Sequence, residues 1–371
     1  MSKIKYGQIG VGHAHASKIT AYRDSDDYEV IGVAEPDEEL RRRAEESDAY
    51  QGLPWMTAEQ LLNEPGLQVV GVETRVRDLL DTAEQCIDAG KHIHLDKPAG
   101  ESLPHFERIL DKAARQHLAV QMGYMYRYNP GVVRMREFLE NGWLGEPFEV
   151  HTVMSKLVGA STRESLAEYR GGTMFELGCH IIDLVVGALG APDAVHAFPR
   201  HSADSDDDLL DNMLAVFEYP AATATVRSSV NEVEGFARRH FTICGSDDDL
   251  LDNMLAVFEY PAATATVRSS VNEVEGFARR HFTICGSEGT MHIQPLDSPR
   301  ARVAFRTAHG KYSAGYQEIE FPPYVRYVDD AADLAKIVRQ EKDPDFSYQH
   351  DLAVQECVLR ASGLPIDASP G

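Results

Sequence analysis

The sequence predicts an α/β protein in two parts: a doubly wound parallel sheet first, then a second α/β domain built on a large, mostly antiparallel open sheet. Three observations predict it. Over roughly the first 122 residues, strand-like runs alternate with helical ones at the spacing of successive β-α-β units. From about 192 to 321 the chain is strand-rich, and two helices, at about 324–340 and 348–361, close it. At 371 residues the chain is also long for a single core.

Residues 3–9, K-I-K-Y-G-Q-I, read as a short buried strand, followed by G-V-G-H-A-H at 10–15 and a helical stretch to about Arg23. Strand, glycine turn and helix form the setting in which G-x-G-x-x-G binds a dinucleotide. Gly10 permits the tight turn, and Gly12 lets a pyrophosphate approach the free N–H groups of the helix start. His15 stands where a third glycine would serve close helix–strand packing, so the helix is expected slightly farther out. The second strand, 28–34, ends at Glu35. A carboxylate at that tip takes both ribose hydroxyls of an adenosine and repels a 2′-phosphate, so NAD is expected over NADP. Arg41, Arg42 and Arg43 read as the solvated face of the next helix.

A third strand (67–74), a helix closed by Gly90 (78–90) and a fourth strand (91–95) lead to Asp96-Lys97-Pro98. Groups at the carboxyl ends of such strands face the ligand crevice, which makes Lys97 a candidate to hold a substrate hydroxyl. His92 and His94 share a strand face but have no third ligand in view, and no metal is expected. After a helix (about 102–116) and a strand (118–122), G-Y-M-Y-R-Y-N-P crosses into the second domain. If that segment is extended, Tyr126 faces opposite to Tyr124 and Tyr128. Tyr126 and Arg127 either line a substrate pocket or pack the domain junction. Lys156, ending a strand at 147–156, is placed to reach a substrate.

The stretch richest in chemistry is G-G-T-M-F-E-L-G-C-H-I-I-D, Gly171 to Asp183. Thr173 is expected to cap a helix on which Glu176, His180 and Asp183 fall at i, i+4 and i+7, on one face. The remaining positions are apolar, so the helix is buried, and polar groups there are costly unless used or paired. One buried histidine alone reads as a satisfied core group. Three polar side chains in register, with Gly178 leaving room for an approach, read as a site. A carboxylate beside a histidine fixes its tautomer and tunes a general acid/base.

Net charge is 36 − 59 = −23, which argues against nucleic acid and against anionic membrane surfaces. No apolar run approaches a membrane span, and the start M-S-K-I-K-Y-G-Q-I-G lacks the pattern of a signal peptide. Five cysteines form no CxxC pair and no disulfide framework, so a cytoplasmic protein is expected.

Residues 206–246 recur without one change at 247–287. Two identical copies in an otherwise non-repetitive chain read as a recent tandem duplication rather than a repeat architecture. Removing one leaves 371 − 41 = 330 residues. Each copy reads as three strands, N-M-L-A-V-F-E-Y, A-T-A-T-V-R-S-S-V and R-R-H-F-T-I-C, with Pro220 or Pro261 at the first turn. One sheet has one set of places for them. The short G-S-E-G turn into the next strand favours 247–287 in those places, with 206–246 at a sheet edge or looped out.

G-V-G near the start, Glu35, A-G-K-H-I-H-L-D-K-P and G-G-T-M-F-E-L-G-C-H-I-I-D together resemble the Gfo/Idh/MocA oxidoreductases over nearly the whole chain. The resemblance implies a Rossmann domain at 1–122 that binds NAD(P), and a substrate and oligomerisation domain at 123–371. It implies hydride transfer between the cofactor and a secondary alcohol or ketone carbon of a sugar, inositol or related polyol. By position it makes Lys97, Glu176 and His180 catalytic, with Asp183 in support. It sets Gly10, Gly12, His13, Glu35, Thr74 and Asp96 around the cofactor. Asp96 replaces the usual Glu of the family pattern, Glu176 the usual Asp, His15 a glycine and Arg75 a proline. A homo-oligomer, dimer or tetramer, formed through the C-terminal sheet is also implied. Two other readings fit the same residues: a non-catalytic NAD(H)-binding regulator, and an enzyme that recycles tightly bound NAD on glycosides.

Overall fold

Near-continuous apolar strands need cover on both faces, and helices between successive parallel strands supply it. The computed structural model describes residues 2–156, 158–201, 206–219, 223–228, 264–270 and 276–367. Its first sheet holds β1 (Ile4–Ile9), β2 (Tyr28–Ala34), β3 (Trp55–Met56), β4 (Leu67–Val72), β5 (His92–Leu95) and β6 (Val120–Met122). All pairs are parallel, in the order β3-β2-β1-β4-β5-β6. That order reverses between β1 and β4, where a doubly wound sheet opens its ligand crevice. The parallel sheet is as expected, except that β3 is too short to show periodicity in the sequence. The connections carry α1 (Ile19–Arg23), α2 (Glu38–Glu45), α3 (Ala58–Leu62), α4 (Leu79–Asp88) and α5 (Leu103–Arg115). Asp37 caps α2, Thr57 and Gln60 form a capping box on α3, and Ser102 caps α5.

The second part begins with α6 (Pro130–Glu140), whose start is fixed by Asn129 accepting from Gly131 N and Val132 N. Its sheet holds β7 (Pro147–Ser155), β8 (Ala194–Arg200), β9 (Asn212–Glu218), β10 (Thr223–Ser228), β11 (Thr264–Ser270), β12 (His281–Gly286), β13 (Gly289–Ile293), β14 (Ala301–Phe305) and β15 (Gly315–Ile319). Pairing runs β15-β14-β13-β12-β7 on one side of β7 and β10-β11-β9-β8 on the other, antiparallel except among β7, β10 and β11, which pair in parallel. The short helices α7 (Ala160–Ala167) and α9 (Gly276–Arg279) flank α8 (Cys179–Leu189) in sequence. Buried Val150, Met154, Ile284 and Met291 of the sheet share one core with Ile181 and Val185 of α8 and with Val354 and Val358 of the last helix, α11 (Tyr348–Ala361).

The repeat meets this sheet in an unexpected way. β10 and β11 are equivalent segments of the two copies, and they address β7 in one register. Thr223 and Thr264 both oppose Glu149, and Val226 and Val267 both oppose Thr152. On β9, Ser228 and Ser269 both oppose Met213. One strand edge forms one ladder along a given register, so this place has two candidate occupants. The expectation that 206–246 lies at a sheet edge or is looped out is corrected. β9 comes from the first copy and lies within the sheet beside β8, while β12 comes from the second copy and joins β7 to β13. The third strand of the first copy, the first strand of the second, Pro220 and Pro261 fall outside the described residues.

The last two helices are not confined to the second sheet. Leu334 and Ala335 of α10 (Val328–Val338) are buried with Ile4, Tyr6 and Tyr28 of the first sheet. The Tyr28 hydroxyl donates to the Ala331 carbonyl at 2.8 Å. α10 therefore crosses back over the expected division at residue 122. Among the described residues no helix is long and apolar enough to cross a membrane.

Candidate functional site

At the end of β1 the chain turns through Gly10 with φ +93°. A Cβ there would stand 2.3 Å from the Thr74 nitrogen, so only glycine lets the tips of β1 and β4 close together. At the neighbouring tip of β2, Glu35 accepts from Val11 N at 2.8 Å and from Asp37 N at 2.9 Å, one bond on each oxygen. Each oxygen keeps a further lone pair. Glu35 lines a cleft of about 610 Å³ together with Asp37, Arg41, Trp55, Thr74 and Arg75. A glycine turn, a carboxylate at the β2 tip and an open cleft beside them suit the adenosine half of a dinucleotide. Arg42 and Arg43 lie on the solvated face of α2, as expected, paired with Glu46 and Glu39. Arg41 also packs over Trp55, its guanidinium 5.4 Å from the ring centre.

Lys97 follows β5 and is fully buried. Its Nζ donates to the Glu176 carbonyl at 2.7 Å and to Glu176 Oε1 at 3.2 Å. This geometry depends on a departure from the expected helix. Met174–Gly178 form a π-turn, and the α-helical part, α8, begins only at Cys179. Such wide turns occur frequently at functional sites. Thr173 does not cap it as expected: its backbone is already helical and it makes no side-chain cap bond. Glu176 is thus held by Lys97. The expected carboxylate–histidine hydrogen bond between Glu176 and His180 is not formed. Burial pushes the Glu176 carboxyl up, but Lys97, with Lys156 and His15, outweighs it and holds the group ionised. Burial likewise works against the Lys97 ammonium, and Glu176 reverses the effect. Lys156 is half-buried just beyond β7.

His180 is 1% exposed, and its Nδ1 has no hydrogen-bond partner; nor has Glu176 Oε2 or the Tyr124 hydroxyl. Burial, then the positive charge of Lys97, holds the His180 imidazole well below its usual pKa and keeps it neutral. Tyr126 and Tyr124 flank it, with ring centres 5.6 and 6.1 Å away. The expectation for an extended segment, that these two face opposite ways, fails because Met125–Tyr128 coil into a 3₁₀ turn. The Tyr126 hydroxyl donates to Asp297 at 2.9 Å.

Arg127, read as a pocket residue, is committed elsewhere. Its guanidinium is buried against Asp183 at 2.6 Å and Asp351 at 2.6 Å, tying α8 to α11. Asp183 accordingly serves that cross-link. Burial raises its carboxyl, but Arg127 and His350 hold it below the ordinary range. Arginine at the foot of a helix looks the same in sequence whether it meets substrate or carboxylates from a helix 56 and 224 positions away.

Sequence reasoning missed a buried polar cluster beneath the glycine turn. Lys18 Nζ lies 2.8 Å from Asp96 Oδ2, from Glu73 Oε1 and from His94 Nε2. Asp96 also lies 3.0 Å from His13 Nδ1 and 3.3 Å from His15 Nδ1. Burial lowers the His15 imidazole to about 4 and that of His94 to about 3, so both are neutral. His94 also meets Gln121, and His92 accepts from Ala119 N. The spacing H-A-H just after one strand and H-L-D at the end of another was the available signal. It needed the parallel register of β1, β4 and β5 to become a cluster.

Two family models match the chain. The oxidoreductase family, NAD-binding Rossmann fold, covers residues 4–124, and the GFO/IDH/MocA C-terminal domain covers 132–250. An inositol 2-dehydrogenase/D-chiro-inositol 3-dehydrogenase of Lacticaseibacillus casei is 28% identical over 40% of this chain and 43% of its own length. A D-xylose 1-dehydrogenase (NADP(+)) of Haloferax volcanii is 25% identical over 62% of this chain and 70% of its own. An uncharacterised oxidoreductase of Schizosaccharomyces pombe is 25% identical over 43% and 45%. The match thus spans less than half the length of two of these three curated relatives. Among solved structures, a UDP-N-acetylglucosamine 3-dehydrogenase from Acidithiobacillus ferrooxidans aligns over 99% of both chains with TM-score 0.69 at 15% identity. A 3-ketoreductase from Actinomadura kijaniata, solved with TDP-benzene and NADP, aligns over 97% and 96% with TM-score 0.67 at 16% identity. At such identity these two speak for the fold.

Proposed function

The chain belongs to the Gfo/Idh/MocA family of oxidoreductases, and on that premise we propose that it moves a hydride between NAD and a secondary alcohol or ketone carbon of a sugar, inositol or related polyol. One observation carries the reading: Lys97 Nζ, Glu176 Oε2 and His180 Nδ1 are buried together at the mouth of the parallel sheet, the last two without partners. An unmade buried hydrogen bond costs about 1–3 kcal/mol, and the hydroxyls of a polyol are groups that make such bonds.

The bound nicotinamide would supply the hydride acceptor. The residues do the rest. Two of the three N–H groups of Lys97 are held by Glu176, and the third donates to the reacting oxygen and stabilises negative charge on it. Neutral His180 takes the hydroxyl proton at Nδ1. Glu176 Oε2 accepts from a neighbouring hydroxyl. Lys156 adds a cation beside Glu176. Glu35, spent on the turn by only one bond per oxygen, takes the adenosine ribose and disfavours a 2′-phosphate.

The inositol and xylose dehydrogenases among the relatives support the substrate class. We further read the repeat as a tandem duplication. The half-open face of the second sheet, seen in the alternating burial of β9 and β14, serves as a homo-oligomer surface. Unpaired Cys86, Cys179, Cys285 and Cys357 suit a reducing cytoplasm. The test is a panel of inositols, sugars and polyols with NAD and NADP, read by the absorbance of reduced nicotinamide. Cofactor binding without turnover on any of them would favour the non-catalytic reading.

A further inference from the structure

We infer that His13, His15 and Asp96 form a binding site for one divalent cation of the zinc class. The site adjoins Lys97 and takes in two residues, His13 and Asp96, that the resemblance sets around the cofactor. The ligand atoms of the three side chains lie within 4.8 Å of one another, with His13 Nδ1 3.0 Å and His15 Nδ1 3.3 Å from the Asp96 carboxylate. Ligands about 2.0–2.2 Å from a zinc ion at tetrahedral or octahedral angles stand roughly 3.0–3.5 Å apart, and the two His–Asp separations fit that spacing.

Hydrogen bonding points the same way. His13 Nε2 lies 3.0 Å from the Lys97 carbonyl, which can only accept, so that nitrogen carries the hydrogen. His13 Nδ1 receives the backbone N–H of His15 at 3.2 Å and is therefore the ring's lone-pair nitrogen. It nevertheless faces a carboxylate oxygen at 3.0 Å. Either a proton or a metal cation bridges two such acceptors. The second-sphere pattern is also that of a metal histidine, whose other nitrogen donates to a backbone carbonyl.

Charge supplies a third argument. Lys97 is taken by Glu176, which leaves Lys18 alone to serve both Asp96 and Glu73. Glu73 Oε1 stands 2.8 Å from Lys18 Nζ, so one ammonium faces both carboxylates. Lys18 occupies one lone pair of Asp96 Oδ2 and the Lys97 amide one of Oδ1, leaving each oxygen a second. Three protein ligands leave a fourth position for solvent or substrate. His180, with its unpartnered Nδ1, has its ring 5.7 Å from that of His15.

The test uses the full chain, stripped with a chelator and titrated with Co²⁺ as the spectroscopic stand-in for zinc, in the absence of nicotinamide. We expect one equivalent of Co²⁺ with intense visible bands, displaced by Zn²⁺. His13→Ala and His15→Ala should each weaken it by more than the about 10–100-fold that losing an outer-sphere partner costs. Exposed His117→Ala should leave binding unchanged. If alanine at 15 lowers the melting temperature, His15→Gln, an amide of similar size, replaces it. Absence of the bands at roughly millimolar Co²⁺, or bands that survive in both His13 and His15 variants, would overturn the site. Neither result bears on hydride transfer, which is read separately by turnover.

Discussion

The two sheets of this molecule solve the same problem with different uniqueness. In the first, six strands of different sequence fill six places, and each is selected by its own burial pattern and its own connection. In the second, the place beside β7 is addressed by two strands of identical sequence in identical register. Burial and hydrogen bonding choose between different sequences. They are blind between equal ones, where only the cost of the looped-out chain remains, and that grows slowly with length. A strand's place is therefore specified by difference from its competitors as much as by fit.

The largest effect is expected where every residue has one place. Lys97→Ala and His180→Ala should each cut turnover by roughly 10²–10⁴-fold, the usual worth of a positioned acid/base group. Near-normal steady-state turnover in either variant would remove that residue from its role. Neither substitution touches the repeat; His180→Ala should melt like the parent chain, and Lys97→Ala, which leaves the Glu176 carboxylate buried without its cation, should melt lower.

Proline scanning tests the shared place directly. A proline inside a central strand removes a ladder bond and costs about 3 kcal/mol or more by analogy with a helix interior. If either copy can occupy the place, Val226→Pro and Val267→Pro should each lower the melting temperature little, and the double variant should lower it far more than their sum. One single variant as damaging as the double would show that one copy holds the place permanently. Deleting 206–246 or 247–287 produces the same 330-residue chain, because the copies are identical. That chain should melt no lower than the parent; a lower melting point would mean that the second copy is integrated and stabilising.

A smaller effect concerns the helix that crosses back to the first sheet. Asp330 of α10 is buried, neither carboxylate oxygen has a hydrogen-bond partner, and burial pushes its pKa up to about 8. The folded chain then keeps a proton that the unfolded chain releases near pH 4. Stability from this group is intact below about pH 4 and falls as pH rises through about 8. Asp330→Asn should flatten that decline, measured as melting temperature against pH, and leave the acid limb unchanged. An equal decline in the variant would place the titration elsewhere. The smallest effect is at the cofactor cleft. Glu35→Gln should shift the NAD-to-NADP affinity ratio by about tenfold, or 1.4 kcal/mol, towards NADP, and an unchanged ratio in a cofactor titration would mean that Glu35 does not meet the ribose.

What the sequence by itself determined is whatever depends on period and punctuation. Alternating strand and helix runs specified the parallel sheet, glycines marked its turns, and K-P after a strand put Lys97 at the crevice. The i, i+4, i+7 spacing brought Glu176, His180 and Asp183 into one helical segment. What only the tertiary structure decided is which partner each polar group takes. Lys97 rather than His180 claims Glu176, because a π-turn replaces the first turn of the expected helix. Arg127 goes to Asp183 and Asp351 because α11 packs against α8. His13, His15, Lys18, Glu73, His94 and Asp96 meet only because parallel strands from distant parts of the chain end side by side. Local sequence sets the direction of a side chain relative to its own backbone. The charge it finds there comes from another segment, and in the repeat even the identity of the strand beside β7 is settled by competition within the folded sheet.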